Sequence, residues 1–178
     1  MSQQYRYRLT HTQKTSIAQN LIRAISSREP LSKESATFIV EWILTGPEDK
    51  VKAFYDVWDI VLKNYLPDPR PVLFRACSRR CDGKIASFTG KLETARRFSE
   101  GKGLLIICDT KDTLSTSHLD TPGAYRHTFF PITQLVELDY KSEKPRIRQS
   151  IYERYKGEDE YIMRINRGTM HTFKWCHE

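Results

Sequence analysis

Apolar residues recur at helical intervals through the first third of the chain and at alternating or continuous positions through the rest. Thr12 to Ser26 carries Ile17, Leu21, Ile22 and Ile25 on one helical stripe. Ser32 to Leu44 repeats the pattern with Ala36, Ile39, Val40 and Ile43; Ser32 is placed to cap it and Gly46-Pro47 to stop it. Pro47 suits the first turn of a third helix, where a missing N–H is no loss. That helix sets Val51, Phe54, Val57, Trp58, Val61 and Tyr65 on one face and ends before Pro67-Asp68-Pro69. Beyond this punctuation the period changes. Val72 to Cys77, Lys84 to Phe88, Leu104 to Cys108, Leu135 to Asp139, Glu160 to Ile165 and Met170 to Trp175 read as strands. Glu93 to Glu100 reads as a helix ended by Gly101 and Gly103. Lys111 to Phe130 has no period, turns at Thr121-Pro122-Gly123 and reads as a long loop. The pattern predicts an α+β protein: a helical N-terminal layer over 1–66, then a compact, mostly antiparallel body over 67–178.

Composition narrows the class. At 178 residues, with 39% hydrophobic and 11% aromatic content, the chain is long and apolar enough for a proper core. No apolar run approaches the roughly 18–20 residues of a membrane span. The polar start Met1 to Arg8 has no apolar core of a secretory signal behind it. We therefore expect a soluble, cytoplasmic protein with no membrane partner. Cys77, Cys81, Cys108 and Cys176 are too few and too scattered for a disulfide framework and lack the spacing of a zinc knuckle. They read as reduced thiols, with no metal expected.

The net charge of +7 is spread along the chain: residues 1–66 hold 9 of the 29 Lys+Arg, leaving 20 for 67–178. The densest cluster is Lys141, Lys144, Arg146, Arg148, Arg154 and Lys156, just ahead of an acidic stretch. A run of this kind is a solvated face or an attractor of acidic protein, nucleic acid or pyrophosphate.

The acidic stretch is Gly157-Glu158-Asp159-Glu160-Tyr161-Ile162-Met163. On a strand, Glu158 and Glu160 point to one side and Asp159 to the other. Two like charges held close resist ionising together, which suits one as base and the other as electrostatic stabiliser. Upstream lie Pro71-Val72-Leu73-Phe74-Arg75-Ala76-Cys77, an apolar run broken by one arginine, and Ile85-Ala86-Ser87-Phe88-Thr89-Gly90, running into Lys91 to Ser99. Arginine on a strand, Ser-x-Thr on a strand entering a helix, and Glu-x-Glu near the end occur here in that order. This ordered triplet resembles the Arg-Ser-Glu class of mono-ADP-ribosyltransferases over roughly Pro67 to Trp175. The small size, the helical N-terminal segment and the compact catalytic half look like phage or bacterial-effector members that modify a host protein.

The resemblance implies an antiparallel β-sandwich of the ADP-ribosyltransferase type and NAD as co-substrate. It also implies an arginine on a target protein as acceptor, in the cytoplasm of a host cell for a phage or effector protein. Glu160 would contact the ribose and stabilise an oxocarbenium-like transition state. Glu158 would orient and deprotonate the acceptor guanidinium; members with Glu here tend to modify arginine. Arg75 would bind the phosphate or ribose region of NAD, or else form a salt bridge with Asp109 or Glu137. Ala76 stands where the family usually has Gly at the nicotinamide contact. Ser87 would hydrogen-bond Glu160 and fix its rotamer, with Thr89 beside it or serving only as a helix cap. Tyr152 and Tyr155 fall in the family's substrate-recognition loop, where an aromatic can stack on the target guanidinium. The basic cluster keeps two other readings open: ADP-ribosylation of nucleic acid or NAD hydrolysis on the same fold, and a basic binding module without catalysis.

Overall fold

A computed structural model describes residues 7–67, 71–77, 81–100, 102–111 and 128–175. These residues form two compact units, 1–61 with 135–154 and 62–134 with 155–178.

The first unit is helical. α1 (His11–Ser26) opens on a capping box in which Thr10 and Gln13 each accept the other's backbone N–H. α2 (Lys33–Leu44) is capped by Ser32, as its sequence predicts. Asn20, buried on α1, fixes the link between them: its Nδ2 donates to the Pro30 carbonyl and its Oδ1 accepts from Ser32 N–H. α3 (Lys52–Asn64) begins five residues later than Pro47 suggests. Gly46 to Asp49 closes a turn, with Asp49 N–H donating to the Gly46 carbonyl and Pro47 at the position whose fixed φ favours turns. The expected stripe is otherwise in place, since Phe54, Val57, Trp58 and Val61 are all buried. Trp58 packs edge-on to Phe38 and Trp42, with ring centroids 5.2 and 5.6 Å away.

The second unit is built on one six-stranded antiparallel sheet: β1 (Val72–Cys77), β2 (Ile85–Thr89), β3 (Leu104–Asp109), β4 (Phe129–Phe130), β5 (Glu160–Arg164) and β6 (His171–Lys174). The strand order is β4-β5-β2-β1-β3-β6. The fold is thus α+β and antiparallel, as expected, but the described strands make a single sheet where a sandwich would need two. Direct cross-strand pairs share a face, so the register defines two sides. One side carries Leu73, Ala86, Phe88, Ile106, Cys108, Phe129 and Met163, which form a continuous core. The other carries Phe74, Ser87, Thr89, Glu160, Ile162 and Phe130.

Between β2 and β3 lies α4 (Leu92–Ser99), ended by Glu100 in the left-handed region at φ 50°. Gly101 lies outside the described residues, and Gly103 takes φ 80°. Leu135 to Asp139, expected as a strand, is part of α5 (Ile132–Tyr140). Ile132, Leu135, Val136 and Asp139 are all buried, and their i, i+3, i+4, i+7 spacing is that of a helix face. A five-residue apolar run does not separate helix from strand; adding Ile132 does. Inside the first unit, the Asp139 carboxylate accepts from the backbone N–H groups of Arg146 and Ile147 at 2.9 and 2.8 Å. α6 (Gln149–Tyr155), seven residues within the basic run, and β4, within the expected loop, are elements the periodicity did not show. Residues 112–127 of that loop lie outside the described residues.

Candidate functional site

The acidic stretch forms a pinned turn rather than a strand from its first glutamate. α6 ends at Tyr155, and Glu158 N–H donates back to the Tyr155 carbonyl at 3.0 Å. Asp159 then takes φ 47°, a left-handed conformation unusual for a side-chain-bearing residue, and β5 starts only at Glu160. Strand alternation therefore does not extend back to Glu158, which corrects the expectation that both glutamates point one way by pleat alone. Asp159 does turn aside. Its carboxylate lies against Gly90, where a Cβ would meet Asp159 Oδ2 at 2.1 Å, so any larger residue there must push that carboxylate aside. The same carboxylate bears on Tyr161, whose phenol is pushed up to about 12, first by burial and then by the Asp159 charge.

Several bonds hold this turn to the β2–α4 junction. Thr89 Oγ1 donates to the Glu158 carbonyl at 2.9 Å and accepts Lys91 N–H at 3.1 Å. Lys91 Nζ donates to the Gly157 carbonyl at 2.9 Å, and Gly90 N–H to the Asp159 carbonyl at 3.0 Å. Thr89 is therefore a clamp between two segments; α4 itself begins at Leu92, its N-cap Lys91 making no side-chain capping bond. Glu160 N–H donates to Thr133 Oγ1 at 2.8 Å. Together these bonds fix where the Glu160 side chain leaves the chain.

Glu160 and Thr89 are direct cross-strand partners and share a sheet face. Ser87 and Ala76 lie on that face by alternation, but Ser87 opposes Ile162, so Thr89 and not Ser87 is the immediate neighbour of Glu160. Arg75 is on the opposite face, in line with Leu73 and Ile106. Its Nη1 donates to the Ser87 backbone carbonyl at 2.6 Å, and its buried Nε has no hydrogen-bond partner. The pleat does not bring Arg75 and Glu160 together; its bond to the Ser87 carbonyl stands in place of the alternative salt bridge with Asp109 or Glu137.

Glu158, about three-quarters buried, is met by Arg97 of α4, whose Nη2 donates to both carboxylate oxygens at 2.9 and 2.8 Å. With Arg97 mostly exposed, this pair contributes little to stability and can open at low cost. Tyr155 is buried at 6% exposure, which corrects its expected place as an exposed stacking platform. Its hydroxyl is buried without a hydrogen-bond partner. The phenol is held well above its ordinary value, first by burial, then by the Glu160 carboxylate and, more weakly, by Glu158. Glu160 and Thr133 are thus near enough to bear on its ionisation, without hydrogen-bonding geometry to the hydroxyl. Both glutamates converge electrostatically on this one phenol.

Tyr152 lies in the first unit, its ring stacked on Tyr140 at 3.9 Å and 8°. Lys141, Lys144, Arg146, Arg148, Arg154 and Lys156 are all exposed. Among the described residues, no group of three or more His, Cys, Asp or Glu is placed to hold a metal, and no helix is long and apolar enough to cross a membrane. Reading the sequence singled out Thr89 but missed Gly90, Lys91, Arg97 and Thr133. Gly90 alone left a signal, as a glycine between a strand and a helix where none was needed to end either. No protein-family model, curated protein or solved structure matches the chain.

Proposed function

We propose that the chain is an NAD-dependent mono-ADP-ribosyltransferase that moves ADP-ribose to an arginine of a target protein and releases nicotinamide. The observation that carries this reading is the Glu160 position: directly opposite Thr89, its backbone pinned on both sides, beside a buried phenol without a partner. A carboxylate so preorganised is suited to stabilise positive charge developing on a ribose as its bond to nicotinamide breaks. Ser87 shares its face and would offer a hydroxyl to the ribose, while Thr89, its hydroxyl already engaged by the Glu158 carbonyl and Lys91 N–H, holds the turn in place. Arg75 is on the other face, so we assign it the support of β2 through the Ser87 carbonyl and not a phosphate contact.

Glu158 supplies the acceptor side. It already binds a guanidinium, that of Arg97, and an incoming arginine would replace it. Glu158 would take the proton from the acceptor nitrogen as that nitrogen bonds to the ribose anomeric carbon. NAD here is a co-substrate, and the chain's own part is to hold the sugar, stabilise its charge and receive the proton.

The exposed basic residues Lys141, Lys144, Arg146, Arg148 and Arg154 support a second reading, transfer to nucleic acid. Labelled NAD, given to wild type and Glu160→Gln with cell lysate, with or without nuclease, and with agmatine, separates the two. Transfer to protein or agmatine, reduced about 10²–10³-fold in the variant, is the expected result. Nuclease-sensitive label would favour nucleic acid, and absence of any NAD turnover would leave only a binding module.

A further inference from the structure

Cys77 ends β1 on the core side of the sheet, and Cys81 opens the turn that leads to β2. Their Sγ atoms are 2.8 Å apart, inside the ordinary contact distance of two sulfurs and longer than the covalent bond of about 2.05 Å. The two thiols differ in access. Cys81 is buried at 8% exposure, whereas Cys77 is half-buried. Neither has the third ligand a metal would need among the described residues.

The geometry points to a reversible dithiol: Cys77 and Cys81 form a redox-active pair that closes to a disulfide on exposure to a hydroperoxide. In the first step the Cys77 sulfur attacks the peroxide, breaking the O–O bond, to give a sulfenic acid and one molecule of alcohol or water. In the second, Cys81 sulfur displaces the hydroxyl from that sulfenic acid, forming the S–S bond and releasing water. Two thiols and one peroxide thus give one disulfide, water and the reduced peroxide. The order follows from access and from acidity. Burial and the adjoining Cys77 push the Cys81 thiol up to about 11, with Arg75 and Arg167 offsetting only part of this. Such a thiol holds little thiolate at neutral pH and is a poor first nucleophile toward the peroxide; its attack on the adjoining Cys77 sulfur relies on proximity.

The disulfide would tie the end of β1 to a turn already anchored to the segment that follows β5, since Gly83 N–H donates to the Ile165 carbonyl and Asp82 accepts Arg167 N–H. Arg75 lies two residues before Cys77 on the same strand face, so the bond would act close to the arginine that supports β2. This inference is independent of the proposed transferase activity.

The test uses the native full chain, treated with hydrogen peroxide, alkylated and digested with trypsin. Arg79 and Arg80 lie between the cysteines, so trypsin parts the two in the reduced protein and leaves them joined in the oxidised one. We expect a Cys77–Cys81 linked peptide lighter by two hydrogens, restored to two alkylated peptides by dithiothreitol, with Cys108 unoxidised. Cys81→Ser should instead stop at sulfenic or sulfinic acid on Cys77. Over-oxidised Cys77 without a linked peptide in wild type would overturn the proposal, as would linkage to Cys176 or to a second chain. The wild-type digest decides the question even if the variant does not fold.

Discussion

Replacing Tyr155 with phenylalanine removes one oxygen from a place where that oxygen is buried and has no partner. In the unfolded chain the same hydroxyl is hydrogen-bonded to water, so folding forfeits that bond without return. An unsatisfied buried polar group costs about 1–3 kcal/mol. The void left by a single oxygen, ~10–15 Å³, returns only about 0.3 kcal/mol as a cavity penalty at ~24 cal/mol per Å³. Tyr155→Phe is therefore expected to be more stable than wild type by about 1–2 kcal/mol, a Tm rise of roughly 2–8 °C for a chain of this size. Urea unfolding followed by circular dichroism measures it.

The pH dependence gives a second, signed check. The folded phenol is raised above its ordinary value of 10.0, so above pH 10 the unfolded chain loses its proton while the folded chain keeps it. The folded state then binds more protons, and wild-type stability must fall as pH rises. Phenylalanine has no such loss, and the stability gap should widen above pH 10. Tyr65 and Tyr161 are raised too, but they are common to both proteins and cancel. If Tyr155→Phe proves less stable than wild type by 1 kcal/mol or more, or the gap narrows at high pH, the hydroxyl has a partner and the reasoning fails. A variant that gains stability while losing NAD turnover would mark the phenol as retained for function at a cost to the fold.

Two further substitutions probe the supports. Gly90→Ala should destabilise the protein by about 1–3 kcal/mol, because the new Cβ displaces the Asp159 carboxylate. Asp159→Ala should remove most of that penalty in the double variant, and additive losses in a double-mutant cycle would refute the contact. Asp139→Ala strands the buried Ile147 N–H and the part-buried Arg146 N–H and should cost about 1–3 kcal/mol. Asp139→Asn keeps an acceptor and should be tolerated at pH 7. Because burial raises the Asp139 carboxyl above 3.8, its protonated form is favoured in the folded state, and wild type should lose stability relative to Asp139→Asn as pH rises through the carboxylate range. An unchanged difference between pH 3 and 7 would contradict this.

Local pattern was enough to place α1, α2 and α4, the buried face of α3 and five of the six strands, because helical and strand periods are set by which neighbours share a face. The strands that carry Arg75, Ser87-Thr89 and Glu160 were likewise legible, since each sits in a run whose other residues declare a strand, whereas Glu158 falls in the turn before β5. Where local preference was ambiguous, tertiary packing decided: Leu135 to Asp139 became helix because Ile132 extends its buried face, and Pro47 went to a turn closed by Asp49. The side of the sheet on which a residue lies was also beyond reach, because it depends on register between strands far apart in sequence. Register set Arg75 on the face away from Glu160 and made Thr89, not Ser87, its neighbour. Left-handed Asp159 broke the alternation that would have aligned the two glutamates, and it is held by Gly90, some seventy residues earlier. Sequence determined which chemical groups the chain carries and the strands that bear them; only the folded register determined which of those groups meet.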